Sequence, residues 1–201
     1  AKFGRDVRDL MLDARYRAIF PESTLSDDSQ AKREFNLSAG GSYKGAGVSG
    51  TVTGYGANIF LIDDPIKTRE EADSEVIRNK IWDFYSSVAY TRLEKGGAII
   101  VIQTRWHQDD LAGRLLEKMK EKGDDWVCVD FPAVATEDEE FRKENEALWP
   151  AKKDYKDLMR IKNGTDARTW YALYQQQHTG SETQECYSEW FRYFDEIPPG
   201  M

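Results

Sequence analysis

The sequence predicts an α/β fold in which a mostly parallel sheet is flanked by helices, with a small helical region toward the C-terminus. Two apolar runs, Ile59–Ile62 and Ala98–Ile102, are typical of strands buried on both faces of a parallel sheet. The segment between them, Arg69–Leu93, has a helix-forming composition and the length that a parallel crossover needs. We therefore expect a strand–helix–strand unit whose two carboxyl ends meet at one edge of the sheet.

The residues before the first run predict one helix and a glycine-rich β excursion. We expect the helix at Asp6–Tyr16, a polar loop at Ser23–Lys32, and short strands at Phe35–Ser38 and Gly50–Thr53. Gly45–Gly50 matches the dinucleotide fingerprint G-x-G-x-x-G literally, but the residues after it disfavour the helix that this motif requires. We expect these glycines to adopt positive φ angles or to allow another stretch of backbone to approach closely.

The residues after the second run predict three helices and one further strand. The expected elements are a helix capped by Asp109 or Asp110 and ending near Lys120, a strand at Trp126–Phe131, a charged loop at Glu137–Glu146, and helices at Asp154–Lys162 and Asp166–Gln176. Cys128 lies inside the predicted strand, so we expect it to be buried. Cys128 and Cys186 lack C-x-x-C spacing, which argues against a zinc site or a disulfide framework.

Length and charge exclude some classes of function. The 201 residues, 40% of them apolar, suffice for a domain with its own core. The formal net charge of −8 argues against a general DNA-binding module, because affinity for the duplex comes from Lys and Arg neutralising phosphates. No apolar stretch approaches the roughly 20 residues needed to cross a bilayer, and no signal peptide opens the chain.

Polar side chains follow both apolar runs. Asp63 and Asp64 come directly after the first, at the sheet edge where open α/β folds bind ligands. Adjacent carboxylates there suit a hydrated Mg²⁺ and a nucleophilic water, as in the acidic motif of P-loop nucleotide hydrolases. The alternative is that they only cap the next segment. Gln103 and Thr104 follow the second run, and we expect them beside the acids, where they could sense a terminal phosphate or orient a water.

Nearby residues allow competing interpretations. His107 with Asp109 and Asp110 resembles a metal site but lacks a third distant ligand, so we expect structural roles. Arg105 either forms an internal ion pair, which we favour, or stabilises charge on a neighbouring subunit's nucleotide. Its internal partners would be Asp63, Asp64 or Asp109. Lys67 and Arg69 are exposed candidates for the role in trans.

Six segments carry a resemblance to a known family. They are Phe3–Leu10, Gly40–Val48, Thr53–Ala57, Leu61–Pro65, Gln103–His107 and Leu173–Gln176. In this order the chain resembles the large terminase subunit of tailed bacteriophages, the motor ATPase that packages DNA into procapsids. The likeness covers nearly the whole chain, and the IDDP and QTRWH segments are highly specific together. It implies a partial P-loop NTPase-like core that couples ATP hydrolysis to DNA translocation.

The resemblance also implies roles for single residues. Asp63 is expected to coordinate Mg²⁺ through water, Asp64 to activate the attacking water, and Thr104 to lie in the motif that couples hydrolysis to movement. Gln103 and Arg105 are coupling or charge-stabilising candidates. Related motors usually carry Glu at the second acidic position, so the shorter Asp64 would need the water closer or an intervening solvent molecule.

The cofactors implied are ATP and Mg²⁺ in a complete parent domain. The phosphate-binding motif G-x-x-x-x-G-K-[ST] is absent from these residues. We therefore expect neither cofactor to bind tightly to this chain alone. Residues 1–135 are expected to be the C-terminal part of the ATPase core, and residues 136–201 a linker region leading toward an absent nuclease domain.

The implied partners are the small terminase subunit, ring neighbours, the portal of the procapsid and double-stranded DNA, with no membrane. The expected location is the cytoplasm of the bacterial host. Two classes of function stay open at this point. The first is part of a packaging ATPase whose phosphate anchor lies elsewhere. The second is a noncatalytic prophage remnant or interaction module that keeps the fold.

Overall fold

The computed structural model describes residues 2–31, 33–48, 50 and 54–177, without the side chains of residues 28–30. The chain divides into two compact units, Ala1–Tyr55 and Gly56–Met201. Both contain helices and strands, so the fold is mixed α/β as predicted. Among the described residues two strands pair in parallel and three pair antiparallel, so the expectation of a mostly parallel sheet is not met there. The predicted boundary between residues 135 and 136 stays a prediction.

The first unit contains two helices and a three-stranded antiparallel sheet. Its elements are α1 (Lys2–Leu12), α2 (Ala14–Ile19), β1 (Leu25–Ala31), β2 (Glu34–Leu37) and β3 (Ser42–Lys44), with the strands in the order β1-β2-β3. The predicted single helix breaks at Asp13, because this side chain accepts a hydrogen bond from the N–H of Arg15 (2.8 Å) and so caps α2. Phe35 of β2 is buried and stacks on Tyr43 of β3, with ring centroids 4.9 Å apart.

The loop predicted at Ser23–Lys32 is wrong, whereas the strand predicted at Phe35–Ser38 is confirmed as β2. Leu25 pairs with Leu37 and Ala31 with Glu34, so the polar segment is a strand. Its sequence has no apolar alternation, and the backbone pairing with β2 determines its structure. Residues 51–53 of the other predicted strand lie outside the described residues.

The second unit is built on a parallel strand pair. Its elements are β4 (Ala57–Asp63), α3 (Arg69–Asp73), α4 (Glu75–Phe84), β5 (Leu93–Ile102), α5 (Leu111–Lys120), α6 (Tyr155–Gly164) and α7 (Ala167–Tyr174), with π and 3₁₀ turns at Tyr85–Ala89 and Tyr90–Arg92. β4 and β5 pair in parallel, from Ile59 opposite Ala98 to Asp63 opposite Ile102. The predicted strand–helix–strand unit is therefore confirmed.

The two faces of this strand pair differ. On one face Ile62 is buried, and the ring of Phe60 lies 6.2 Å from that of Phe84 in α4. On the other face Ile59 is 68% exposed and Leu61 is 54% exposed. The prediction of strands buried on both faces is therefore wrong here. An apolar run predicts a buried strand but does not state what covers each face.

The strand predicted at Trp126–Phe131 is also wrong, because this described segment has no regular structure. Val127 is 90% exposed, and Cys128 is exposed instead of buried. Side chains hold the two ends of the segment in place of strand pairing. The N–H of Trp126 donates to Sδ of Met119 (3.2 Å), and the N–H of Phe131 donates to Oε1 of Gln176 (3.0 Å).

The two C-terminal helices are confirmed and form a small core of their own. Val134, Leu158 and Trp170 are buried together in it. Gln175 exchanges two hydrogen bonds with the backbone of Val134, at 3.1 Å and 3.0 Å. Gln175 thus has a structural role at the end of α7. Among the described residues, no helix combines the length and apolar character needed to span a membrane.

Candidate functional site

The predicted acids lie at the carboxyl end of β4. Asp63 is its last residue and is exposed. The N–H of Asp64 donates to the carbonyl of Ile102 (2.8 Å), which extends the parallel ladder one residue past the strand. Asp64 has φ 45°, in the left-handed region that non-glycine residues seldom adopt and that Asp tolerates better than most. The chain therefore turns sharply at Asp64 while its amide stays fixed to β5.

The structure brings Asp64 and Thr104 together. Oγ1 of Thr104 donates to Oδ1 of Asp64 at 3.4 Å, across 40 residues of sequence. Both residues follow a parallel strand, so the contact arises from the shared carboxyl edge of β4 and β5. The hydrogen bond is long, so it leaves the hydroxyl free to rotate toward a better acceptor.

Asp63 lies at this edge with its carboxylate unengaged. Within the described residues this carboxylate has neither a hydrogen bond nor an ion pair. It shares the exposed face of the strand pair with Ile59 and Leu61, because side chains alternate along a strand. The two acids are adjacent in sequence, but only Asp64 contacts Thr104.

Gln103 lies next to Thr104 and carries an unused acceptor. Its Oε1 atom is buried and has no hydrogen-bond partner among the described residues. A buried acceptor left unpaired costs about 1–3 kcal/mol. We therefore expect a water, a ligand or another chain to supply a donor to Gln103.

Arg105 has the internal role that its sequence context favours, but its predicted partners are wrong. Its Nε donates to Oδ2 of Asp110 at 3.0 Å, and Asp110 is 1% exposed. The other carboxylate oxygen of Asp110 accepts from the N–H of Gly113 (2.9 Å) and caps α5. A buried capping carboxylate needs a positive partner, which Arg105 supplies. The predicted cap by Asp109 or Asp110 is thereby resolved in favour of Asp110.

Asp109 is held by two arginines that the sequence did not single out. Arg114 donates to both carboxylate oxygens at 2.7 Å, and Nε of Arg78 donates to Oδ2 at 3.1 Å. These hydrogen bonds, led by those from Arg114, lower the pKa of Asp109 to about 2. Arg114 also donates to Oδ1 of Asn79 (2.8 Å), so this cluster links α4 to α5.

His107 has a structural role, as predicted. Its Nδ1 accepts a hydrogen bond from the N–H of Asp109 (3.0 Å), which requires an unprotonated Nδ1. Burial, followed by the charge of Arg78, lowers the pKa of His107. The described residues contain no group of three or more His, Cys, Asp or Glu side chains placed to hold a metal ion.

Arg168 on α7 makes contacts that no local pattern could predict. Its guanidinium donates to both carboxylate oxygens of Asp73 and, at 3.2 Å, to the carbonyl of Trp106. Arg69 lies 3.6 Å from Asp166 and so is engaged within the fold. Lys67 is exposed, and among the described residues its backbone N–H donates to Oε2 of Glu71 (2.8 Å) while its ammonium forms no ion pair.

Comparison with known proteins places this site in a family context. The family model described as terminase large subunit, T4likevirus-type, N-terminal matches residues 5–178. The match includes both strands of the site and all the polar residues described above. No curated protein matches the chain.

Proposed function

This chain belongs to the terminase large-subunit family, and we propose that it carries the water-activating and phosphate-sensing edge of a P-loop NTPase-like packaging ATPase. Family membership makes it a component of a phage DNA-packaging motor. The proposal adds the chemistry, which is the coupling of ATP hydrolysis to DNA translocation into procapsids.

The contact between Asp64 and Thr104 is the observation that carries the proposal. Asp64 is held by its amide to Ile102 (2.8 Å) and by its carboxylate to Thr104 (3.4 Å). A carboxylate fixed at a sheet edge can accept a proton from a water positioned beside it.

Thr104 can report whether a phosphate is present. Its hydroxyl has one proton to donate, and without a ligand it donates to Asp64. A terminal phosphate at the same edge is also a charged acceptor, and an oxygen closer than the 3.4 Å to Asp64 would compete for this proton. When the hydroxyl turns to a phosphate oxygen, Asp64 Oδ1 is released to accept from the attacking water. One rotation thus links phosphate binding to activation of the base.

The residues at this edge have the chemistry that Mg²⁺ requires. Asp63 presents an exposed carboxylate without a partner among the described residues, and Mg²⁺ is commonly held by one or two carboxylates together with water and phosphate oxygens. Bound there, the metal would neutralise charge on the phosphates. Asp63 would hold it through water, and the buried acceptor of Gln103 would hold a water or another donor nearby.

The remaining parts of the proposal concern organisation and partners. Residues 1–135 would belong to the ATPase core and residues 136–201 to a linker region. The small terminase subunit, ring neighbours, the portal and double-stranded DNA would be the partners. The alternative, a noncatalytic prophage remnant or interaction module that keeps the fold, predicts no hydrolysis even when a phosphate-binding loop is supplied.

Hydrolysis in an ATPase domain that includes the phosphate-binding loop tests the proposal. Asp63→Ala should weaken Mg²⁺-nucleotide binding and turnover together, whereas Thr104→Ala should keep nucleotide bound but uncouple hydrolysis from DNA movement. Asp125→Asn, which changes an exposed acid away from the site, is the matched control. Equal behaviour of the site variants and the control would contradict the assignment.

A further inference from the structure

Arg168 bridges the two segments that leave the strands of the site. Its Nη1 lies 3.0 Å from Oδ2 of Asp73, at the end of α3, which is the first helix after Asp64. Its Nη2 donates to the carbonyl of Trp106 at 3.2 Å, in the turn after β5. The N–H of Trp106 in turn donates to the carbonyl of Thr104 (3.2 Å). One side chain therefore contacts both exits from the candidate site.

The geometry of this bridge requires a guanidinium. The planar fork of Arg168 binds both oxygens of Asp73 and still directs an N–H to the carbonyl of Trp106. A lysine ammonium is a point charge that could pair with Asp73 but could not reproduce this planar arrangement. The side chain of Arg168 is 15% exposed but that of Asp73 is 50% exposed, so water competes less for the hydrogen bond to the carbonyl of Trp106 than for those to Asp73.

A second ion pair also joins α7 to α3. Arg69 of α3 lies 3.6 Å from Asp166, the N-cap of α7, but both side chains are about half exposed and such pairs contribute little. Within the described residues, the hydrogen bond from α7 to the turn after Thr104 comes from Arg168. The link between this turn and α7 therefore depends on that residue.

We propose that Arg168 is a positioning residue that transmits the state of the edge formed by Asp64 and Thr104 to α7 and the chain that follows it. The inference rests on the proposed function, in which the Thr104 hydroxyl turns from Asp64 to a phosphate oxygen. In this proposal the backbone of residues 104–106 adjusts when the hydroxyl engages a phosphate, and the adjustment reaches Trp106 because its N–H is bound to the carbonyl of Thr104 (3.2 Å). Arg168 then either moves with the carbonyl of Trp106 and keeps that hydrogen bond, or loses it and keeps its ion pair with Asp73. Either response changes how α7 is held.

Hydrogen exchange of the full 201-residue chain without nucleotide tests the bridge. In Arg168→Gln the amides of Trp106 and Asp110 should exchange about tenfold faster or more, because the turn loses a charged hydrogen-bond donor. Amides within β4 and β5 should exchange at unchanged rates. Arg160→Gln, on the exposed side of α6, is the matched control and should change neither set.

Arg168→Lys tests whether the bridge needs the planar guanidinium or only a positive charge. It should preserve the ion pair with Asp73 but leave the turn as unprotected as in Arg168→Gln, because an ammonium cannot reproduce the fork. Full recovery of turn protection by lysine would overturn the proposal, since charge alone would then suffice. Uniform acceleration in every element of Arg168→Gln would also overturn it, because Arg168 would only stabilise the fold.

The reciprocal experiment changes Thr104 in the candidate site and measures the effect on α7. Thr104→Val removes the hydroxyl and should speed exchange of the Trp170 amide, which bonds to the carbonyl of Asp166 (3.0 Å). Adding Arg168→Gln should add no further acceleration at Trp170 if both changes act through one link. Additive effects, or no effect of Thr104→Val on α7, would contradict the proposal. None of these measurements uses nucleotide, so their failure is distinct from a failure of the ATPase assignment.

Discussion

Arg105 and Asp110 form an ion pair that is nearly closed to solvent, with Nε of Arg105 3.0 Å from Oδ2 of Asp110. The same carboxylate caps α5 through its other oxygen. The pair therefore ties the turn after Thr104 to the helix that follows it. The ion pair thus connects the exposed carboxyl edge of β4 and β5 to helix α5.

Breaking this pair should destabilise the second unit. Arg105→Gln leaves the carboxylate of Asp110 without its counter-charge, and removing one partner of a buried pair typically costs about 3–5 kcal/mol of unfolding free energy. Asp110→Asn should cost less than Asp110→Ala, since asparagine keeps an N-cap acceptor worth about 1 kcal/mol. Urea denaturation measures these differences. Equal stability of Arg105→Gln and the exposed control Arg160→Gln would contradict the assignment.

Gly113 should tolerate no side chain. A Cβ at this position would overlap the carbonyl oxygen of Gln108, so Gly113→Ala must displace the turn that precedes α5. We expect a loss of about 1–3 kcal/mol or more in unfolding free energy, as is typical of overpacking. Gly164→Ala is the matched control, because its new Cβ would meet no atom within 4 Å and alanine favours helix. Thermal unfolding of both variants gives the comparison.

Acidification should weaken the fold in two steps. His107 has a lowered pKa in the folded chain, so the unfolded chain binds more protons and stability falls as the pH drops below the ordinary value of 6.5. Asp109 has a pKa of about 2 against an ordinary 3.8, so its contribution is lost as the pH falls through that interval. Both contributions are present in full at neutral pH.

Two variants separate these steps. His107→Asn keeps an acceptor near the N–H of Asp109 but cannot protonate, so it should flatten the part of the stability profile that lies just below the ordinary histidine pKa of 6.5. Asp109→Asn should flatten the more acidic part and lower stability at neutral pH, because Arg78 and Arg114 lose their carboxylate. Urea midpoints across the pH range provide the measurement. A wild-type slope in His107→Asn would show that another group titrates.

The isolated chain should not hydrolyse ATP appreciably. Asp64 can activate a water, but these residues include no phosphate-binding loop, and positioning supplies most of the catalysis in phosphoryl transfer. Phosphate release with Mg²⁺ should therefore stay at background. Release clearly above background that disappears in Asp63→Asn would contradict this expectation.

The sequence predicts the parts of the fold that follow from residue type within one segment or from the pairing of two strands. The apolar runs before Asp63 and Gln103 predict parallel strands, and the rule that such strands end at one edge places Thr104 beside Asp64. Residue type and position predict a cap at Asp109 or Asp110 and a helix that begins at Asp166, and the structure shows Asp110 and Asp166 as the N-caps.

The remaining parts depend on contacts between distant residues. Arg168 meets Asp73 across 95 residues and Trp106 across 62, and neither distance leaves a periodic signal. The polar strand β1 forms through pairing with β2, and Trp126–Phe131 has a strand composition without a strand partner among the described residues. The composition of a segment indicates which secondary structure it favours, but the segment forms a strand only where another strand pairs with it.

The turnover of Asp64→Asn tests the central claim most directly, in an ATPase domain that includes the phosphate-binding loop. Asparagine keeps the size of the side chain and an acceptor for the Thr104 hydroxyl but cannot take a proton from water. The account predicts that nucleotide affinity stays near that of the parent while kcat falls about 10²-fold or more. Hydrolysis by Asp64→Asn at the parent rate would contradict it and reduce Asp64 to a structural cap.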